Sequence, residues 1–151
     1  MTTRRHITHL ALASLALAAA ALTGCASMNA PSNMVAMSTA LRGANEVPAN
    51  ASPATGSVDA VLNKDTNLLR WKVSYTGLTG PATAGHFHGP AAATANAGVV
   101  LGWTTAESGS EGSATLTAAQ AADLMAGRWY ANVHTKANPG GEIRGQMAVR
   151  N

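Results

Sequence analysis

The stretch TGSVDAVLNKDTNLLRWKVSYTG, residues 55 to 77, constrains the fold more than any other part of the chain. Val58, Ala60 and Leu62 recur at period two, and so do Leu69, Trp71, Val73 and Tyr75. Successive side chains of a strand point to opposite faces, so each run makes one apolar face. The turn-forming Asn63-Lys64-Asp65-Thr66 between them predicts an antiparallel hairpin with one buried side.

The same pattern continues downstream in shorter pieces. PATAGHFHG and AGVVLGW read as two further strands joined by a loose loop, Pro90 to Asn96. WYANVHT and GEIRGQMAV form a last pair, linked by Lys136 to Gly141. There Asn138-Pro139-Gly140-Gly141 places proline and glycine at the centre of an expected type II turn. Only LTAAQAADLMAGR argues for helix, with Thr117 as N-cap and Gly127 as stop. Short strands with Gly/Pro punctuation predict an all-β fold: a single antiparallel Greek-key β-sandwich or barrel with one short helix, no repeat and no second domain.

The N-terminus has a different character. Arg4 and Arg5 precede an apolar run from Leu10 to Leu22, then small residues and the sole cysteine, Cys25. That layout is a signal peptide, and the apolar run falls short of the ~20 residues a spanning helix needs. Leu22-Thr23-Gly24-Cys25 resembles the lipobox of bacterial lipoproteins, which implies cleavage before Cys25 and acylation of its thiol. The expected organisation is a signal peptide over 1–24, a lipidated flexible tether over 25–38 and a β domain over 39–151. Ala26 gives no signal for inner-membrane retention, so the expected location is the outer membrane, facing the periplasm. Met28, Met34 and Met37 could offer thioethers to Cu(I), but in a soft segment without a period they read first as tether.

Charge excludes one class of partner. The formal charge is +3, but without Arg4 and Arg5 the ten basic residues become eight, against seven acidic ones. They are scattered, so nothing points to nucleic acid. Ser and Thr are plentiful without a G-x-S-x-G elbow, and Asp59, Asp65, Glu107, Glu111 and Asp123 are too dispersed to nominate a catalytic carboxylate pair.

What remains is GHFHG, residues 85 to 89. In a strand, His86 and His88 project from one face while Phe87 points the other way. Downstream of the expected signal peptide the remaining histidine is His134, which in WYANVHT shares a face with Tyr130 and Asn132. Three neutral imidazoles on adjacent strands suit copper, with zinc as the alternative. The plainer account is two exposed histidines in a strand whose glycines mark close backbone approach.

Four blocks also resemble the CHRD domain, the module named after chordin: LRGANEVPANASPATGSVDAVL, LRWKVSYTGLTGPATAGHFHGPA, AGVVLGW and LTAAQAADLMAGRWYANVHTKANPGGEIRGQM. The resemblance spans Thr39 to Ala148 and implies a β-rich extracellular or periplasmic module. GHFHG followed by NVHT and GGEIRG is similar in order to Cu/Zn superoxide dismutases. That likeness implies His86, His88 and His134 as copper ligands and Arg144 as an anion-guiding arginine. It lacks the bridging histidine, the zinc ligands and the disulfide cysteines. Arg144 also reads as an ion-pair partner of Glu142 or of a neighbouring strand, and Glu46, in NEVP, as either a reach to the metal site or a turn cap.

Three functions are therefore expected in order: a lipid-anchored copper protein for sequestration or transfer, a metal-free module binding an envelope protein or polysaccharide, and a copper-dependent dismutase.

Overall fold

A computed structural model describes residues 33–150. The expected signal peptide and Cys25 lie outside the described residues. Among those described, no helix is long and apolar enough to cross a membrane.

The expected hairpin is present in full. Strand β2 (Thr55–Asn63) pairs antiparallel with β3 (Leu68–Thr76) at nine positions, from Thr55 opposite Thr76 to Asn63 opposite Leu68. Asn63 Oδ1 accepts from the amides of Asp65 and Thr66 at 2.9 and 3.1 Å, and Asn67 turns the chain with φ of 53°. A short polar side chain here replaces backbone hydrogen bonds that the tight turn forgoes.

Strand β1 (Met34–Arg42) precedes the hairpin and pairs with β2 along its whole length. The tether expected to reach residue 38 is therefore already sheet by Met34. Met37 is wholly buried in the core rather than offered to an ion. The remaining strands are β4 (Ala82–His88), β5 (Val99–Gly102), β6 (Glu111–Thr115), β7 (Tyr130–Thr135), β8 (Ile143–Gln146) and β9 (Ala148–Val149). All ladders are antiparallel, in the order β5-β4-β7-β8-β1-β2-β3-β6, with β9 also on β1. The sheet curls into a half-barrel, in keeping with the expected all-β sandwich or barrel class.

The concave side holds the apolar core. Val58, Leu62, Leu69 and Val73 of the hairpin meet Phe87, Trp129, Val133 and Ile143 with no exposure. Phe87, the residue between the two histidines, stacks edge-on against Trp71 and Trp103 at centroid distances of 5.4 and 5.3 Å. Burying such a ring contributes about 1.5–3 kcal/mol, and each aromatic contact adds roughly 0.5–1.5. That anchor forces His86 and His88 to the opposite, convex face.

Helix α1 (Ala118–Met125) starts where expected. Thr117 accepts from the Gln120 amide, Gln120 reciprocates to the Thr117 amide, and Gly127 ends the helix with φ of 69°. The 138–141 turn closes through Gly141 N–H to Asn138 C=O at 3.1 Å. Its positive φ falls on Gly141, at 129°, rather than on Gly140, so the turn is not the expected type II.

Candidate metal centre

The convex face of β4, β7 and β8 is a polar layer. Register puts His86 opposite Asn132, His88 opposite Tyr130, and Asn132 in turn opposite Arg144. Alternation along β7 sends Ala131 and Val133 into the core and Tyr130, Asn132 and His134 outward. Two loops then bury this face: residues 43–50, opened by a 3-10 turn at Gly43–Asn45, and residues 89–98.

The three histidines converge. His86 Nδ1 is 3.1 Å from His134 Nε2, and ligand-competent nitrogens of all three rings lie within 4.8 Å of one another. Bonds of about 2.0–2.1 Å require pairs no more than about 4 Å apart, so small ring rotations suffice to close on one ion. His88 Nδ1 sits 3.0 Å from the Ala97 carbonyl and His134 Nδ1 2.9 Å from the Pro139 carbonyl. A carbonyl only accepts, so each neutral ring carries its proton on Nδ1 and presents a lone pair at Nε2. Outer partners of this kind orient metal-ligating histidines.

Burial favours the neutral form of His86 and His88. Burial, then the neighbouring His134 and His88, push the His86 pKa below the usual histidine value. Burial is also the main cause for His88, outweighing its hydrogen bonds to Ala97 and Asn132. A neutral imidazole is the metal-binding form. The residues present therefore fit a copper or zinc ion.

The glycines around the pair have a packing reason. A Cβ on Gly85 would enter the Trp103 ring, and one on Gly89 the Trp129 ring. A register shift between Phe87 and His88 against β5 further re-aims the second histidine.

Arg144 lies beside the centre and is 1% exposed. Its guanidinium carbon sits 3.4 Å from the Tyr130 ring centroid, while His88 stacks on the same ring at 4.8 Å with planes parallel to 1°. Nη1 donates to Asn96 Oδ1 at 2.8 Å and Nη2 to Ala95 O at 2.7 Å. The 90–96 loop expected to be loose is thus pinned, which holds the Ala97 carbonyl against His88. Nor does Arg144 pair with Glu142. That carboxylate accepts from Ser52, from Thr79 through both hydroxyl and amide, and from Thr135. Burial pulls its pKa up, but these four bonds outweigh it and bring it to about 2.

The CHRD-domain family model matches residues 37–147. The chain belongs to the CHRD family. Comparison with curated proteins and with solved structures returns no match, so the dismutase resemblance gains no support from either. The match runs from within β1 to the end of β8, so the histidine cluster and both loops that bury it lie inside the CHRD domain.

Two neighbours of the cluster carry little sequence signal as site residues. Asn132 Oδ1 stands 3.1 Å from His88 Nε2 and 3.0 Å from His134 Nε2. Its place on the histidine face follows from the alternation of WYANVHT, but a lone asparagine does not advertise ligation. Glu46 is 7% exposed, its Oε1 has no hydrogen-bond partner, and burial, partly offset by Arg144, raises its pKa to about 7.

Proposed function

We propose that this CHRD domain binds one copper ion through His86, His88 and His134, in an exported protein anchored to the outer membrane by a lipid on Cys25. Its role is to sequester or hand on the ion. The observation that carries the reading is the committed Nδ1 of both His88 and His134, which leaves two Nε2 lone pairs and His86 Nδ1 facing a common point. Three imidazoles favour Cu(II) over the other first-row divalent ions, with Zn(II) next.

The test is titration of residues 26–151, which keep every described strand, with Cu(II) and Zn(II), beside a His86→Ala/His88→Ala variant. Stoichiometric uptake by the parent, lost in the variant, is expected; equal weak uptake by both discards the reading. Loss of acylation in a Cys25→Ala full-length chain, followed by membrane fractionation, tests the anchor separately.

A second reading, a binding module for an envelope protein or polysaccharide, has one observation in its favour. A cavity of about 430 Å³ runs along Ala44–Ala49 to Arg144 and Gln146, and Glu46 Oε1 and Gln146 Oε1, both from its lining residues, are buried without partners. Hydroxyl donors would satisfy them. Exposed aromatics, which would strengthen it, are missing at Trp71 and Trp129, which are core.

A further inference from the structure

We infer that Asn132 Oδ1 is a fourth ligand of the ion held by His86, His88 and His134, and that Glu46 orients the Asn132 amide for it. The inference rests on the three-histidine reading above and adds to it the composition of the site, N3O rather than N3.

The starting point is a conflict of hydrogen-bonding roles. His88 and His134 each have Nδ1 against a backbone carbonyl, so each directs an Nε2 lone pair at Asn132 Oδ1, which is itself an acceptor, across 3.1 and 3.0 Å. His86 Nδ1 adds a further ring nitrogen 3.1 Å from His134 Nε2. Lone pairs gathered at such distances repel unless a proton or a cation stands among them. A neutral His86 can carry its proton on Nδ1 and donate to His134 Nε2, but no neutral tautomer supplies a proton between Asn132 Oδ1 and the Nε2 atoms of His88 and His134, and a charged imidazole buried there is disfavoured. A metal ion resolves the conflict at once. Neighbouring ligand atoms on a shell of about 2.0–2.1 Å stand about 3 Å apart, which matches the three printed separations between these atoms.

The competing arrangement turns the amide over, so that Nδ2 donates to the imidazoles and closes the site to metal. The far side of Asn132 opposes it. An ideal Cβ on Gly141 would lie 2.8 Å from Asn132 Nδ2 and 2.5 Å from Glu46 Oε1, which puts the amide nitrogen and the orphan carboxyl oxygen together above that glycine. With Oδ1 toward the histidines, Nδ2–H lies on the side of Glu46 Oε1, an oxygen with no hydrogen-bond partner, and a closer approach of the two would satisfy it. Turned over, Oδ1 would face that oxygen, an arrangement that deprotonated Glu46 opposes. Gly141 supplies the room, since any side chain there would displace both groups, and its φ of 129° already excludes one.

Glu46 is thus a positioning residue: its carboxyl lies on the far side of Asn132 from the histidines, where it can accept from the amide that would touch the ion. The site would hold copper through two imidazole Nε2 atoms, one Nδ1 and one amide oxygen, a donor set suited to Cu(II).

The experiment uses Cu(II)-loaded residues 26–151, with electron paramagnetic resonance and competition affinity measured for the parent, Asn132→Ala, Asn132→Asp, Glu46→Leu and Glu46→Gln. Nitrogen hyperfine from three imidazoles is expected throughout. Asn132→Ala should shift the parallel g and copper hyperfine values and weaken binding at least tenfold, since loss even of a group that only orients a ligand costs about 10–100-fold. Asn132→Asp, which keeps an oxygen in place, should retain or tighten binding and serves as the folded control. Glu46→Leu should weaken binding, and Glu46→Gln, whose amide oxygen still accepts from Asn132, should restore it. An Asn132→Ala protein with the parent's spectrum and affinity overturns the assignment while leaving three-histidine binding intact. A parent that takes up no Cu(II) overturns both.

Discussion

His86 Nδ1 and His134 Nε2 stand 3.1 Å apart across the β4–β7 ladder, two ring nitrogens from strands whose order brings residues 48 positions apart into contact. The pH response of His86 and His88 follows from their surroundings. A histidine whose folded pKa is lowered binds protons later than a free one, so the neutral, ligating form persists below the usual value of 6.5. Copper affinity should therefore be nearly unchanged between pH 8 and 6.5, where a free imidazole is already half protonated, and fall only at lower pH. Competition titrations at four or five pH values check this; a tenfold loss already at 6.5 would contradict it. The metal-free fold should show the same sign, its histidine contribution complete above pH 6.5 and declining as pH falls toward the lowered folded pKa values.

Arg144 acts on the centre through the 89–98 loop. It gives that loop hydrogen bonds to Asn96, Ala95 and, at 3.4 Å, Ala93, and the loop delivers the carbonyl that fixes the His88 tautomer. Arg144→Ala removes a fully buried side chain together with the bonds that hold this exposed loop, and should cost about 1–3 kcal/mol of stability by urea unfolding. Amide exchange in residues 91–98 should rise more than in β2 and β3. Uniform acceleration across the sheet would instead mark Arg144 as a general core contributor.

Glu46 predicts a stability that falls as pH rises. Its folded pKa of about 7 exceeds the ordinary 4.5, so the folded state holds a proton that the unfolded chain has released between those values. The metal-free parent should therefore lose stability relative to Glu46→Gln as pH climbs from 4.5 to 7, with the difference levelling near 3 kcal/mol at most. Urea unfolding of both proteins at pH 4.5, 6 and 8 measures it, and a difference independent of pH would refute the buried-acid account.

The hairpin, the helix and the histidine triad were legible for one reason: each is written in local periodicity. Val58, Ala60 and Leu62 declare a strand by alternation, and Thr117 with Gln120 declares a cap by spacing. Strand β1 has the same alternation in Val35, Met37 and Leu41, but Thr39 interrupts it and the preceding small residues disguise it as tether. β6, EGSAT, has almost no apolar face because it is an edge strand held by backbone pairing to β3. Arg144, Glu46 and Asn132 were harder, because their roles depend on which strands become neighbours. Sequence placed Arg144 two residues from Glu142 and suggested an ion pair; the fold gave Glu142 four hydrogen bonds of its own and Arg144 a loop to hold.

That second carboxylate makes a prediction opposite in sign to Glu46. Glu142 is wholly buried, and its four donors hold the folded pKa near 2 against an ordinary 4.5. A lowered carboxylate pKa contributes stability that is fully present above about 4.5 and disappears as pH falls through the folded value. The span corresponds to about 3 kcal/mol. Glu142→Gln should be less stable than the parent by about that amount at pH 7, since an amide group offers donors where Thr79, Thr135 and Ser52 already donate. The gap should narrow steadily between pH 4.5 and 2 and nearly vanish at the acid end. Thermal unfolding of both proteins across that range decides it, and a gap that stays constant with pH would show that Glu142 stabilises by packing rather than by charge.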